Sequence, residues 1–223
     1  MLTLERLEKA FTGRRPGPQN VRSRYAVLAP LVEKEGGELQ LLFEVRADTL
    51  DRQPGEVCFP GGRIEPGESR EECVLRETRE ELGIPEKAVR IIGPLDYIQH
   101  TANFMMYPLL GLVEAEAAAA VKPNPAEVKE TFLVPLSFFE KTPPEIYHYE
   151  LIPRPEENFP DARLGFPDGY PWQQGRRSVP IYEYEGHVIW GLTGHIVRWL
   201  VTYMARTEKR SAGQHQVSER RSK

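Results

Sequence analysis

The chain has 223 residues, 40% of them hydrophobic and 28% charged, and its 29 Lys and Arg stand against 33 Asp and Glu for a formal net charge of −4. Such an ordinary globular composition excludes a fibrous chain or one disordered throughout, and the near-neutral balance offers no broad cationic surface to a nucleic-acid backbone. No run approaches the roughly 20 apolar residues of a membrane span, the opening MLTLERLEKAFTGRR lacks the apolar core of a secretory signal, and Cys58 and Cys73 are too few for a disulfide scaffold, so the expectation is a soluble cytoplasmic protein that binds neither membrane nor nucleic acid.

In chain order, Thr3 is a plausible N-cap for a short amphipathic helix over residues 3–11, with Leu4, Leu7 and Phe11 at helical spacing and packing as its expected role. Two apolar runs, Tyr25–Val32 and Leu39–Val45, flank a charged turn containing Gly36 and Gly37 and predict a β-hairpin. A short strand at Glu56–Phe59 runs into a loop at Pro60–Gly62. Ser69 and Glu72 stand at capping-box spacing, and Gly83, Ile84 and Pro85 make a stop, so Ser69–Leu82 is predicted as a helix. Further strands are expected at Val89–Ile98, Tyr107–Val113, Thr131–Leu136, Tyr147–Ile152 and Val179–Tyr184. The Pro- and Gly-rich stretch Pro153–Arg177 reads as a long loop insertion, and Leu192–Arg206 as a second helix, followed by a disordered polar tail over 207–223. The 20 prolines and 18 glycines thus fall largely at turns. Strands with one helix inserted early and one at the end predict an α/β (α+β) fold in one domain over residues 1–206.

The chemistry concentrates in residues 61–84, GGRIEPGESREECVLRETREELGI. On a helix Glu77, Glu80 and Glu81 stand at i, i+3 and i+4, neighbours that repel, while Val74, Leu75, Thr78 and Leu82 form an opposite stripe that can pack on a sheet. A carboxylate cluster on a rigid element suits a hard divalent cation, which takes oxygen ligands and shares them with substrate phosphates. Glu68 lies just before the helix start, Arg76 can pair with a carboxylate and hold its rotamer, and the glycines let the Pro60–Gly62 backbone approach a metal or phosphate, with the Gly61 carbonyl as a ligand candidate. Seven fixed residues, Gly62, Glu68, Arg76, Glu77, Glu80, Glu81 and Gly83, have a chance match on the order of 10⁻⁸ per window at average usage.

Those seven residues and their spacing resemble the Nudix box, with Thr78 where an aliphatic residue is more usual and Ile84 at the second aliphatic position. The resemblance implies a Nudix α/β/α sandwich with a mixed β-sheet, and hydrolysis, with Mg²⁺ or Mn²⁺, of a nucleoside diphosphate linked to another group. By position it implies Glu77 and Glu81 as the main metal ligands, Glu68 and Gly61 as further ones, Glu80 as an accessory ligand or water-orienting base, and Arg76 as the group that orients them.

Outside the box the chain resembles the coenzyme A diphosphatase branch through Ala47, Gly55 and Phe59–Gly62, then Thr101, Phe104, Tyr107 and Pro108, then Asn124–Val128 with Val134–Leu136, and finally Ile189–Thr193. Asp51, followed by Arg52, stands where that branch has an Arg, and Leu42-Phe43-Glu44 where it has Leu-Leu-Thr. The resemblance implies coenzyme A or acyl-CoA as substrate, giving 3′,5′-ADP and (acyl)phosphopantetheine. ADP-ribose, NADH or a dinucleoside polyphosphate is the alternative within the same chemistry, and a non-catalytic nucleotide sensor the alternative outside it. Glu127 reads either as a general base or further ligand or as a surface residue of a turn, and Arg46, Arg52 and Arg63 either as phosphate clamps or as solvated side chains. Trp190 and Trp199 read as core aromatics at the terminal helix, Tyr170 and Trp172 either as packing residues or as a cover for an adenine or pantetheine arm, and His100 either as a substrate contact or as an ordinary surface or packing residue. The sequence fixes no oligomeric state and leaves a homodimer open.

Overall fold

Strand β1 (Ser23–Glu33) organises the molecule, because its side chains alternate between two apolar layers. Val27, Ala29 and Leu31 join one buried cluster, and Ala26, Leu28 and Val32 the other. The structure, a computed structural model, describes residues 2–221, with side chains as far as Glu208.

After α1 (Leu4–Phe11) and β1, the chain forms β2 (Leu39–Arg46), β3 (Val57–Cys58), β4 (Gly61–Arg63), α2 (Arg70–Leu82), β5 (Val89–Pro94), β6 (Ile98–His100) and β7 (Phe104–Val113). Then follow α3 (Ala115–Ala119), β8 (Val128–Pro135), α4 (Leu136–Lys141), β9 (Glu145–Leu151), β10 (Gly175–Tyr184), β11 (His187–Ile189) and α5 (Gly191–Arg221). An eight-stranded sheet runs β3-β2-β1-β7-β5, with β4 on β1, β6 on β7 and β8 on β2, and β11-β10-β9 form a second sheet of three. The first sheet is mixed: β1 and β7 pair parallel from Ser23 beside Phe104 to Val32 beside Val113, whereas the other pairings are antiparallel. On one face lies α2, burying Cys73, Val74 and Leu82, and on the other α5, burying Ile196, Val197 and Leu200 with Phe139 of α4. Each fully buried Val or Leu side chain contributes about 1.5–3 kcal/mol, so the two helices are held as fixed layers, and the expected three-layer α/β/α arrangement is the one observed.

The β1–β2 hairpin zips for only three residue pairs, Glu33–Leu39, Val32–Gln40 and Leu31–Leu41. Beyond them the strands part, and residues 57–63 fill the wedge: Val57 and Cys58 pair with β2, Gly61–Arg63 with β1. The Pro60 carbonyl accepts from the Leu28 amide at 2.9 Å, closing the seam. The loop expected at Pro60–Gly62 is therefore a strand from Gly61, and this wedge positions the site.

Other departures have local causes. The predicted Val89–Ile98 strand divides into β5 and β6, and α3, α4 and β11 appear at stretches too short to show a helical or strand period. Helix α1 forms with its Thr3 cap, but none of its residues is buried, and Leu4, Leu7 and Phe11 stay 72%, 41% and 62% exposed, so the expected packing role is not fulfilled within the described chain. Trp190, expected in the core, is 42% exposed. In the insertion, Tyr170 and Trp172 do pack, through rings 5.1 Å apart, with Phe166 and Phe159 at either end. Helix α5 continues past Arg206 to Arg221, through most of the stretch expected as a disordered tail; 222–223 lie outside the described residues. No helix among the described residues is long and apolar enough to cross a membrane.

Candidate active site

Helix α2 starts as its sequence predicts. The Ser69 hydroxyl accepts from the Glu72 amide at 3.1 Å and the Glu72 carboxylate from the Ser69 amide at 2.8 Å, completing a capping box. It ends at Gly83, whose φ of 68° is the left-handed geometry that favours glycine. Between these stops Val74, Thr78 and Leu82 face the sheet, with the Thr78 hydroxyl buried and unpartnered, while Arg76, Glu77 and Glu80 line the opposite edge.

Arg76 gathers this edge. Its Nε donates to Glu68 Oε1 at 2.8 Å, its Nη1 to Glu77 Oε1 at 2.8 Å and to Glu80 Oε2 at 3.1 Å, and its Nη2 to the Arg63 carbonyl at 3.3 Å. These bonds hold Glu68 below the usual carboxylate range and keep the guanidinium charged. Glu80 is a rim residue, 47% exposed and also paired to Arg79 at 3.3 Å.

Glu81 is only 6% exposed and one turn further along α2 than Glu77. Its Oε2 accepts from the Gly61 amide at 2.9 Å, so Gly61 meets the acid through its N–H. Burial foremost, then the neighbouring Glu44 charge, pushes the Glu81 carboxyl up to about 9 against the Gly61 hydrogen bond. Burial also raises Glu77, opposed by Arg76.

Glu44 is the residue that sequence reasoning passed over. It sits 1% exposed on β2 two residues after Leu42, on the face turned to α2. Its Oε1 accepts from the Cys58 thiol at 3.1 Å, and its Oε2 is buried with no hydrogen-bond partner. Desolvation raises it to about 7, and the thiol bond and Arg46 only partly offset this; burial pushes the Cys58 thiol up too. The available signal was parity: in the run Leu41–Val45 the period of two puts this lone acid on a buried face.

The 122–127 loop brings in the last acid. The Lys122 amide donates to the Leu82 carbonyl at 3.0 Å and the Asn124 amide to the Glu81 carbonyl at 2.8 Å, tying the loop to the end of α2. The Ala47 amide donates to the Glu127 carbonyl at 2.8 Å. Glu127 thereby stands close enough for its charge to raise Glu44, Glu77 and Glu81.

Of the sequence-predicted residues, the fold thus brings Glu68, Arg76, Glu77, Glu80, Glu81, Glu127 and Gly61 together. Arg46 points back to the chain beside the wedge, donating to the Arg52 carbonyl at 3.3 and 3.2 Å, and Arg63 is exposed on β4. Arg52 is exposed in the connecting loop.

Among the described residues no group of three or more His, Cys, Asp or Glu is already closed around one cation position. The donor set nevertheless suits a hard divalent cation. Glu44, Glu77, Glu81 and Glu127 lie within reach of one another's charge, of these four Glu77 is the one paired to a guanidinium among the described residues, and a carboxylate oxygen, Glu44 Oε2, is buried without a partner. Such a cation would relieve both conditions.

A mixed sheet thus lies between two helix layers, one of which presents its acids beside a glycine wedge. Residues 22–154 match the NUDIX domain model; the chain belongs to the Nudix family and is a Nudix hydrolase, a class that generally needs divalent metal. It is 36% identical over 155 residues to the Peroxisomal coenzyme A diphosphatase NUDT7 of Mus musculus, covering 69% of this chain and 63% of that protein. It is 35% identical over 176 residues to an Uncharacterized Nudix hydrolase NudL of Photorhabdus laumondii, covering 78% of this chain and 81% of that one. A solved C. elegans Ap4A hydrolase shares 19% identity at a TM-score of 0.43, covering 52% of this chain and 83% of that one.

Proposed function

We propose that this protein hydrolyses the diphosphate of coenzyme A or acyl-CoA, giving 3′,5′-ADP and (acyl)phosphopantetheine. The observation that carries the chemistry is the cluster of Glu44, Glu77, Glu81 and Glu127, under-neutralised and fixed by α2, β2 and the 122–127 loop. Support for the substrate comes from the name of the mouse relative and the likeness to that branch across Phe59–Gly62 and Ile189–Thr193.

Glu77 and Glu81, with Glu68, Glu44 and the Gly61 backbone, are the groups that would hold Mg²⁺ or Mn²⁺. When bound, the cation supplies charge neutralisation to the diphosphate and acidifies water. Glu127 or Glu80 accepts the proton of the attacking water, whose oxygen joins phosphorus as the bridging P–O bond breaks, with no covalent intermediate. Arg76 keeps Glu68 and Glu77 in place, and Arg46, Arg52 and Arg63 supply charge to the phosphates. The substrate is a small nucleotide-type molecule, and the cell compartment of the protein is the cytoplasm in this reading.

The deciding experiment is a panel of coenzyme A, acetyl-CoA, ADP-ribose, NADH and a dinucleoside tetraphosphate, each with Mg²⁺ and with Mn²⁺, with products resolved by mass. Release of 3′,5′-ADP from coenzyme A at the highest kcat/KM is expected. Turnover of ADP-ribose without coenzyme A would transfer the site to the other substrate class, and no turnover of any would indicate a sensor.

Glu44→Gln tests the donor set separately. Mn²⁺ affinity, read by calorimetry or electron paramagnetic resonance, should fall about tenfold or more. Because the folded-state pKa of Glu44 is raised to about 7, its contribution to stability is fullest below about 4.5 and is lost as pH rises through 7. The cation-free variant should therefore melt higher than wild type above pH 8. Unchanged Mn²⁺ binding would remove Glu44 from the donor set.

A further inference from the structure

On the α5 face of the first sheet lies a cavity of about 560 Å³ that none of the acid cluster lines. Its size falls within the range of small-molecule sites. Its walls come from the β5–β6 connection, from β9 and β10, and from the start of α5. Much of that wall, including Arg176, Arg177, Trp190 and Trp199, lies beyond the residues 22–154 that match the family domain.

Two kinds of side chain meet there. Tyr97, Tyr149 and Trp190 are 64%, 45% and 42% exposed, three large aromatics left in solvent around one hollow. Exposed apolar surface gathered at a concavity marks a ligand site more often than chance placement does. Beside them stand Arg176 and Arg177, neither of which makes an ion pair among the described residues. The acid in the lining, Asp96, has its Oδ2 occupied by the Trp199 indole N–H at 2.9 Å. In a chain of net charge −4, this hollow is locally cationic and aromatic. Burial first, then Arg177, lowers the His100 pKa.

The cavity wall also lies near the wedge that holds Glu81, across the sheet from it. Pro108 in its lining is in register with Val27, and Val27 with Gly61, whose amide holds Glu81. Two strand spacings separate them, about 10 Å, roughly the reach from a nucleoside to the far phosphate of its diphosphate. At the other end the Thr193 hydroxyl donates to the Val57 carbonyl at 3.2 Å, one residue from the Cys58 that bonds Glu44.

We infer that this cavity binds a nucleoside carrying a phosphomonoester separate from its diphosphate, with Trp190 and Tyr149 stacking on the base and Arg176 and Arg177 holding the extra phosphate. The aromatic faces suit any nucleobase, and guanidinium groups suit a dianionic phosphate. The site deepens the diphosphatase reading and rests on it, since it selects, among nucleoside diphosphate conjugates, those bearing the additional phosphate.

The test uses the full chain and two readouts. Quenching of tryptophan fluorescence by 3′,5′-ADP and by 5′-AMP measures the site without catalysis. 3′,5′-ADP should bind at least tenfold tighter than 5′-AMP, and the double variant R176A/R177A, whose side chains are exposed, should bring the two together. Trp190→Ala should weaken both nucleotides about tenfold. The kcat/KM ratio of coenzyme A to 3′-dephospho-coenzyme A should be at least ten in wild type and collapse towards one in R176A/R177A. Equal binding of the two nucleotides, or an R176A/R177A variant that keeps the discrimination, overturns the site. If the nucleotides discriminate as described but coenzyme A is not cleaved, the site stands and the diphosphatase reading falls. If coenzyme A is cleaved with no preference over its dephospho form, the reading stands and the site falls.

Discussion

Glu81→Gln is expected to lower diphosphate hydrolysis by about 10²–10³-fold, the cost of removing one pre-organised group that stabilises charge at the transition state. The side chain is almost fully buried and aimed at the glycine wedge by the Gly61 amide. Glutamine keeps an oxygen for that hydrogen bond but loses the negative charge, so the loss should appear in kcat and in Mn²⁺ affinity together. The cation-free fold should not suffer. With burial and the Glu44 charge pushing its carboxyl up to about 9, the cation-free site favours the neutral acid at Glu81, and glutamine imitates that form.

The pH dependence gives the sign. A carboxyl whose pKa is higher folded than unfolded binds more protons in the folded state between about 4.5 and 9, so its contribution to stability falls as pH rises through that window. The cation-free wild type should therefore lose a few kcal/mol, several degrees in Tm, between pH 5 and pH 9. The E81Q protein should lose less, and Mg²⁺ should restore wild type at the alkaline end but not the variant. A variant with near-wild-type turnover would remove Glu81 from the site.

Gly61→Ala and Gly62→Ala, one residue apart, should fail in opposite ways. A Cβ on Gly61 would meet backbone, the Ala26 carbonyl and the Val27 Cα, in the central strand β1. Neither can yield without opening the sheet, so a loss of about 3 kcal/mol is expected, about 6–12 °C in Tm. A Cβ on Gly62, which pairs with Ala26 on the α2 face, would meet the Glu77 carboxylate first, its three nearest atoms all belonging to that side chain. That flexible end can swing aside, so stability should change by less than about 1 kcal/mol. Hydrolysis should nevertheless fall about 10²-fold, because a displacement of about 1 Å at a reacting centre has that effect. Melting curves and kcat on the two variants check the contrast; a folded and fully active G62A protein would refute the placement of Glu77.

How much of this was legible beforehand follows the range of the interactions involved. Helix α2, its capping box, its Gly83 stop and its acid spacing are local, written within residues 69–83 by 3.6-residue periodicity and cap chemistry, and they survive folding unchanged. Mixed α and β layers followed from the order of strands and two helices, and the three-layer α/β/α arrangement from the resemblance of residues 62–84 to the Nudix box. Glu127 was left undecided because its approach depends on backbone bonds between residues about 40 apart in the chain, from the 122–127 loop to the end of α2. Glu44 looked like one acid in an apolar run; parity puts it on a buried face, but what it meets there, Cys58 across the split hairpin and Glu81 on α2, depends on pairing between distant segments.

The chain order of residues 62–84 was sufficient to put Arg76, Glu77 and Glu80 along one helix and to carry the resemblance to the Nudix box, since spacing along a helix is spacing in space. Which further acids join that helix, how the wedge at Gly61 and Gly62 presents them, and that Arg176, Trp190 and Tyr97 share one hollow were settled by strand pairing and layer packing. Those contacts join distant segments, and no local period in a sequence records them.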